Sequence, residues 1–428
     1  MVVLCRFIML FLLTLCSACW GEQRFPPPDF ESGHELPEMT APAARASWMA
    51  YRDVAALTVA LGVGCWLSLK QRSRRWIFAL ALLSLIYFGF YRKGCVCAIG
   101  ALQNVTLATF DGSYGLPLAV LAFFVLPLLF TLFFGRGFCG SVCPLGAIQE
   151  AVLLRPVQVP YWVEQSLSLL AYLYLAAAVL FSATGAAFLI CRYDPFVAFF
   201  RLDGPLDIVI LGASLLLIGV FVGRPYCRFL CPYGVLLRLM SRFSRWRVTI
   251  TPTDCTRCHL CAESCPYGAL QKPQSAPATD RLGSDKIRLA FLILLCPLLT
   301  AGGAVVGYGL SDAFARMHPT VRQADLVAIE EDRPLVQASE PVIAYRTTGR
   351  PAGELMQQAT LIQTRFRRGT WLLGAFMGLV AGIKLIRANI YRTRSDYLAD
   401  PGRCLACGRC FAYCPVEQER LLQIRSVS

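Results

Sequence analysis

A chain of 428 residues that is 56% hydrophobic is more apolar than a soluble domain can be, and it reads as a multi-spanning membrane protein. Lysines and arginines number 41 against 27 acidic residues, a net charge of +14. They cluster in short loops beside apolar runs, where membrane orientation is set, which excludes nucleic acid as the partner.

Residues 1–20 have the form of a secretory signal peptide or anchor, with Arg6, an apolar stretch from Phe7 to Leu15 and small residues at Ser17 and Ala18. Residues 21–53 follow as a proline-rich periplasmic linker. Residues 54–254 form a membrane core with five apolar runs, Val54–Leu69, Trp76–Tyr91, Leu116–Gly135, Ser166–Ile190 and Ile208–Gly223. Two more, Leu289–Leu310 and Thr370–Ile386, mark spans at 287–310 and 370–386. Several runs hold only 16 or 17 residues, the short end of the roughly 17–25 that cross a bilayer. The expected fold class is an all-α polytopic membrane protein of about seven spans with a small α+β ferredoxin-like cytoplasmic module.

KQRSRR at 70–75 and the arginines 224, 228, 238, 242, 245 and 247 belong on the cytoplasmic side of a bacterial inner membrane. Counting spans from there puts Arg136–Arg155 and 387–428 inside, and Gly94–Gly115, Cys191–Asp207 and the loop 311–369 outside. That loop alternates in DLVAIEE and PVIAYRTTG, which predicts short strands. ELMQQATLIQTRF then reads as an amphipathic helix entering the last span.

Twenty cysteines are too many for packing alone. Cys255, Cys258, Cys261 and Cys265, followed by Pro266, form C-x2-C-x2-C-x3-C-P in segment 255–286. Cys404, Cys407, Cys410 and Cys414, followed by Pro415, repeat it in segment 387–428. This is the bacterial ferredoxin pattern, in which three close thiolates grip one cubane and the fourth reaches the other cluster. By that rule Cys255, Cys258 and Cys261 join Cys414, while Cys404, Cys407 and Cys410 join Cys265, giving two [4Fe-4S] clusters. The runs stand about 140 residues and two expected spans apart, so both end on the cytoplasmic side.

CTRCH at 255–259 also spells a c-type haem attachment site. That reading needs an exported segment and leaves Cys261 and Cys265 without a role. Zinc accounts poorly for a duplicated eight-cysteine pattern. The three histidines, none inside a span, exclude a b-type haem held by paired membrane histidines.

A second cysteine set lies at the membrane edge: Cys139 and Cys143 in FCGSVCPLGAIQE, Cys227 and Cys231 in PYCRFLCPYGVLL. The text recurs as CAIGALQ at Cys97 and CPYGALQ at Cys265, a turn feeding a short helix. These four thiols are candidates for a further metal centre, for reversible disulfides or for turn packing. Cys95, Cys97 and Cys191 fall on the outer side, where a disulfide or a further redox centre is open to them.

The paired C-x3-C-P signatures and the following ferredoxin run resemble the NosR/NapH family of membrane-bound iron–sulfur proteins, over roughly Cys95 to Gly268. The resemblance implies electron transfer between the quinone pool or a cytoplasmic donor and a periplasmic reductase or its carrier, with a nitrous-oxide-reductase-type system favoured. NosR carries an outer flavin domain with a Ser/Thr attachment motif. Residues 21–53 have no such site, so covalent FMN is not supported, and the second ferredoxin run is displaced to the C-terminal segment. A metal-reducing ferredoxin for metallocentre assembly is the alternative function. Because about 30 Å of hydrocarbon is too wide for one efficient electron step, a quinone or an intramembrane centre is expected between the two faces. No catalytic residue is assigned: HExxH, nucleophile elbow, Walker loop and dinucleotide fingerprint are all missing from the sequence.

Overall fold

The computed structural model describes residues 46–94, 97–250, 255–274, 281–332, 340–390 and 393–427. The expected signal, most of the linker and Cys95 lie outside these residues. Among the described residues five helices are long and apolar enough to cross a membrane: Trp48–Gln71, Arg74–Tyr91, Tyr161–Ala183, Lys286–Gly309 and Ala352–Asn389. The runs expected as spans at 116–135 and 208–223 form the helices Leu118–Phe134 and Leu206–Gly219, of 17 and 14 residues. At about 1.5 Å per residue, 14 residues reach roughly 21 Å, short of a full crossing.

One helix was not expected. Ala98–Phe110 occupies the segment read as an outer loop, and it buries Ala98, Ile99, Ala101, Leu102 and Gln103. The Gln103 carbonyl oxygen accepts from Ile190 N at 2.9 Å and Cys191 N at 3.2 Å, while its amide donates to Ser182 at 3.3 Å. A fully buried amide is satisfied this way, and the helix is pinned to the 169–183 helix and the segment after it.

The main hydrophobic core joins helices from residues 57 to 237 and runs without a break into Cys265, Tyr267, Leu405 and Cys407. A second core lies under residues 311–366, and here the expected strands are helices, Pro319–Asp332 and Glu340–Thr347. The buried positions in the first are Val321, Ala324 and Val327, a spacing of three that belongs to one helix face. The local alternation in DLVAIEE is weaker than this longer-range stripe, which packs with Phe366 and Ala359 of the last long helix. The amphipathic stretch before the last span is helical as expected and continues unbroken through Ala352–Asn389.

The two C-terminal long helices pair through glycines. A Cβ on Gly303 would strike the carbonyl of Gly374, one on Gly307 that of Thr370, and one on Gly378 that of Leu299. Backbones this close require residues without side chains. The hairpin returns the chain to its starting end, where Leu270–Gln271 pairs antiparallel with Leu398–Ala399. A bridge between Gln274 and Arg394 extends this ladder, which is the only sheet among the described residues. Replacing Gly374 with Leu is expected to force the helices apart at about 1–3 kcal/mol, read as a lower thermal unfolding midpoint in detergent.

Candidate iron–sulfur sites

Each ferredoxin-type run folds as a loop closed by a short helix, Leu260–Glu263 in the first and Arg409–Tyr413 in the second. The residues flanking the second cysteine share one backbone conformation. Arg257 and His259 have φ of 54° and 65°, and their counterparts Ala406 and Gly408 have 52° and 75°. Left-handed residues alternating with right-handed ones turn backbone N–H groups to one side, an anion-binding concavity. Three of the four positions are not glycine and hold this conformation at a cost of about 1 kcal/mol or more each.

The two loops interlock. One cavity is lined by Cys255, Cys258 and Cys261 together with Cys414, beside Ile250, Tyr397 and Pro415. The other is lined by Cys404, Cys407 and Cys410 together with Cys265, beside Val248, Tyr267 and Leu270. Among the described residues no three His, Cys, Asp or Glu side chains converge on a point suited to a single metal ion. Four thiols around a cavity suit a larger, multi-atom group. Burial pushes the Cys404 thiol up to about 12, so a thiolate there depends on a bound cation.

The two cavities differ in surroundings. A small satellite core of Val248, Ile250, Tyr397 and Phe411 borders both, and in the first cavity Cys258 is exposed. His259 lines it and shares a hydrogen bond with the Tyr397 hydroxyl, joining the two runs. The second cavity abuts the main core through Cys265 and Cys407.

Sequence reading missed the charges that dock the runs on the helices. Glu150, fully buried, meets Arg74 at 2.5 Å, Arg224 at 3.0 Å and Arg409 at 2.9 Å, and accepts from the Tyr267 hydroxyl. Arg409 lies between Cys407 and Cys410, and Tyr267 two residues after Cys265. Burial alone would raise the Glu150 carboxyl, but Arg224, Arg74 and Arg409 outweigh it and hold it down to about 2. Arg74 also donates to the Cys407 carbonyl at 3.1 Å. Glu164 makes a second clamp, to Arg228 at 3.2 Å and Arg403 at 3.3 Å, and Arg228 donates to the Pro266 carbonyl at 3.2 Å. Arg136 donates to the Gly402 carbonyl at 2.6 Å, and Arg72 pairs with Glu417 at 2.9 Å.

The C-x3-C-P segments are structural repeats. GRGFCGSVCPLG at 135–146 and GRPYCRFLCPYG at 223–234 each fold as a five-residue helix, a turn and a helix opening on proline. In each, the amides before and at the second cysteine donate to one carbonyl, that of Phe138 or Tyr226. A Cβ on Gly146 would lie 2.6 Å from the Cys139 carbonyl, and one on Gly234 would lie 3.3 Å from that of Cys227. The GR-x2-C-x3-C-P-x-G period was the available signal for Arg136 and Arg224. Cys139, Cys143, Cys227 and Cys231 are all buried free thiols in the main core. Cys97, read as an outer-face cysteine, packs against the same core, whereas Cys191 is exposed.

Residues 116–158 and 204–251, which contain the two repeats, match a family described as a 4Fe-4S binding domain. Residues 248–271 match a second family of that description. The chain is 34% identical over 68 residues to the putative electron transport protein YccM of Escherichia coli K12, covering 16% of this chain and 19% of that one. It is 30% identical over 122 residues to protein NirI of Paracoccus denitrificans, covering 27% and 18%. The uncharacterized protein MJ0749 of Methanocaldococcus jannaschii is 35% identical over 57 residues, covering 13% and 23%. The matches thus span about a fifth of the length of each relative. No solved structure matches the chain. The chain carries 4Fe-4S binding domains, and its resemblance to membrane-bound polyferredoxins of the NosR/NapH type is borne out.

Glu150→Gln leaves the buried Arg224 and the half-buried Arg74 and Arg409 without their carboxylate, an expected loss of about 3–5 kcal/mol. Thermal unfolding in detergent checks it, read as a lower midpoint than that of the wild-type chain.

Proposed function

We propose that the chain is a membrane-bound iron–sulfur electron-transfer protein with two [4Fe-4S] clusters. Cys255, Cys258, Cys261 and Cys414 hold one, and Cys404, Cys407, Cys410 and Cys265 hold the other. The observation that carries the reading is the exchange of the fourth cysteine between two cavities built from distant segments. Clusters bound there supply one-electron transfer, with no proton or group to move.

The surrounding residues fit that cargo. A cubane with four thiolates is anionic, and beside the second cavity three guanidiniums meet one carboxylate, leaving two positive charges. The left-handed residues of each loop turn amides toward the same negative charge. Hydrogen bonds and burial of this kind set cluster potentials. The second cavity, in the main core, is the inner site, and the first, with Cys258 exposed, is the one open to a soluble donor.

The runs belong on the cytoplasmic face of a bacterial inner membrane. Supporting this, the basic loops that set orientation touch the runs directly, Arg72 at Glu417, Arg74 at the Cys407 carbonyl and Arg228 at the Pro266 carbonyl. The relay connects a cytoplasmic donor or the quinone pool with a periplasmic reductase or its carrier, a nitrous-oxide-reductase-type system being the favoured acceptor.

Anaerobically purified chain should contain two cubane centres by iron and sulfide analysis, resolved by EPR during a redox titration. Cys414→Ser should alter the spectrum and potential of the centre held by Cys255, Cys258 and Cys261 and leave the other unchanged. Cys265→Ser should do the reverse. Fewer than two centres in intact protein, or the opposite assignment, overturns the reading.

A further inference from the structure

Basic side chains from four separate segments gather beside the second cysteine run. Glu164, 8% exposed, pairs with Arg228 at 3.2 Å and Arg403 at 3.3 Å. Arg238 donates to the Arg228 carbonyl at 3.5 Å, and a Cβ on Gly402 would lie 3.0 Å from the Arg238 side chain. The Gly402 carbonyl accepts from Arg136. Lys384 reaches the same neighbourhood from the last long helix, donating to the Ser168 hydroxyl and, at 2.8 Å, to the carbonyl of Gln165, the residue after Glu164. Its ammonium lies 5.2 Å from the centre of the Tyr172 ring, and the Arg403 guanidinium 5.2 Å from that of Tyr161.

These five cations meet too few anions. Glu164 serves Arg228 and Arg403, while the Asp400 carboxylate accepts from Gly402 N at 2.8 Å and from Gln271 at 3.2 Å. Arg136, Arg238 and Lys384 form no ion pair with a described carboxylate. The Nε atoms of Arg136, Arg228 and Arg238 are buried with no hydrogen-bond partner among the described residues. Like charges withdrawn from water require an anion to offset them. None of the five lines either cysteine cavity. Arg403 adjoins Cys404 in the chain and Arg136 binds the residue two before it, so those two also serve the second cavity; Arg238 and Lys384 have no such contact.

The cluster lies at one end of two helices long and apolar enough to cross a membrane, Tyr161–Ala183 and Ala352–Asn389. Tyr161 and Trp162 are exposed at the start of the first, and Leu239 and Ile383, the chain neighbours of Arg238 and Lys384, are exposed apolar residues. Aromatic side chains at the end of a membrane helix mark the headgroup level, and a basic pocket between such helices suits a phosphate-bearing lipid head. Guanidinium and ammonium groups are the donors that phosphate oxygens accept from.

We propose that Arg238, Lys384 and Arg403 bind the phosphate group of an anionic phospholipid. The lipid offsets the excess positive charge and holds the last long helix and the second cysteine run against the helix at 161–183. The site goes beyond the electron-transfer reading and does not depend on it.

The test uses full-length chain, delipidated in detergent, with phosphatidylglycerol, phosphatidylcholine and inorganic phosphate as probes. Native mass spectrometry reads retained lipid, thermal unfolding reads stabilisation, and circular dichroism checks that each variant is folded. Phosphatidylglycerol should be retained and raise the unfolding midpoint, and phosphatidylcholine should do neither. Arg238→Gln/Lys384→Gln should weaken phosphatidylglycerol binding by about fivefold for each charge removed, and Lys384→Arg should preserve it. Equal retention of the two lipids, or a double variant that binds phosphatidylglycerol like the wild-type chain, overturns the proposal. Equal stabilisation by inorganic phosphate alone overturns the assignment to lipid. Should the double variant fail to fold, Lys384→Gln decides: unchanged phosphatidylglycerol binding refutes the site.

Discussion

A single buried carboxylate, Glu150, faces the guanidiniums of Arg74, Arg224 and Arg409 and the hydroxyl of Tyr267. Those four groups come from a long helix, a C-x3-C-P repeat and both cysteine runs. Isolated ion pairs at a surface contribute little, but here Glu150, Arg224 and Tyr267 are withdrawn from water, with Arg74 and Arg409 half-buried around them, so losing the carboxylate strands a buried charge. The docking of the cysteine module on the helices therefore depends on this one charge. Glu164 repeats the device at a second point with Arg228 and Arg403.

The consequence is an ordered series of sulfur-lined sites. Both cavities border the satellite core, the second also meets the short sheet and shares the main core, and the buried C-x3-C-P thiols lie within that main core. Duplication is visible twice, in the ferredoxin-type loops with their matched left-handed residues and in the GR-x2-C-x3-C-P-x-G segments. Both pairs repeat one local fold in distant segments, and in the ferredoxin-type pair each copy lends one cysteine to the other's cavity.

Much of this was legible in the sequence because cysteine spacing and apolar run length are local properties. The eight ferredoxin-type cysteines, the long helices at 48–91, 161–183 and 286–309 and the last helix were all visible there. The helix Ala98–Phe110 was not, because it is shorter than a span and its meaning lies in the buried Gln103 contacts to a segment about 90 residues on. The strand expected in DLVAIEE, residues 325–331, is helical because the local alternation there masks a three-residue stripe, Val321, Ala324 and Val327, that only its packing partner, Phe366, makes decisive. Glu150 was invisible for a different reason. A lone carboxylate after CPLGAIQ carries no signal until four distant partners close around it.

The hairpin of the two C-terminal long helices also governs the order in which the molecule can be made. Neither cavity has all four cysteines until the ribosome has reached residue 414 or 410, by which time every described long helix has already been synthesised. The first run, with Cys255 to Cys265, must wait through the whole hairpin in an open state. Closure of the two cavities is thus a late event in biogenesis, and a chain arrested before the final helix leaves the first run's four thiols without their partners from the second.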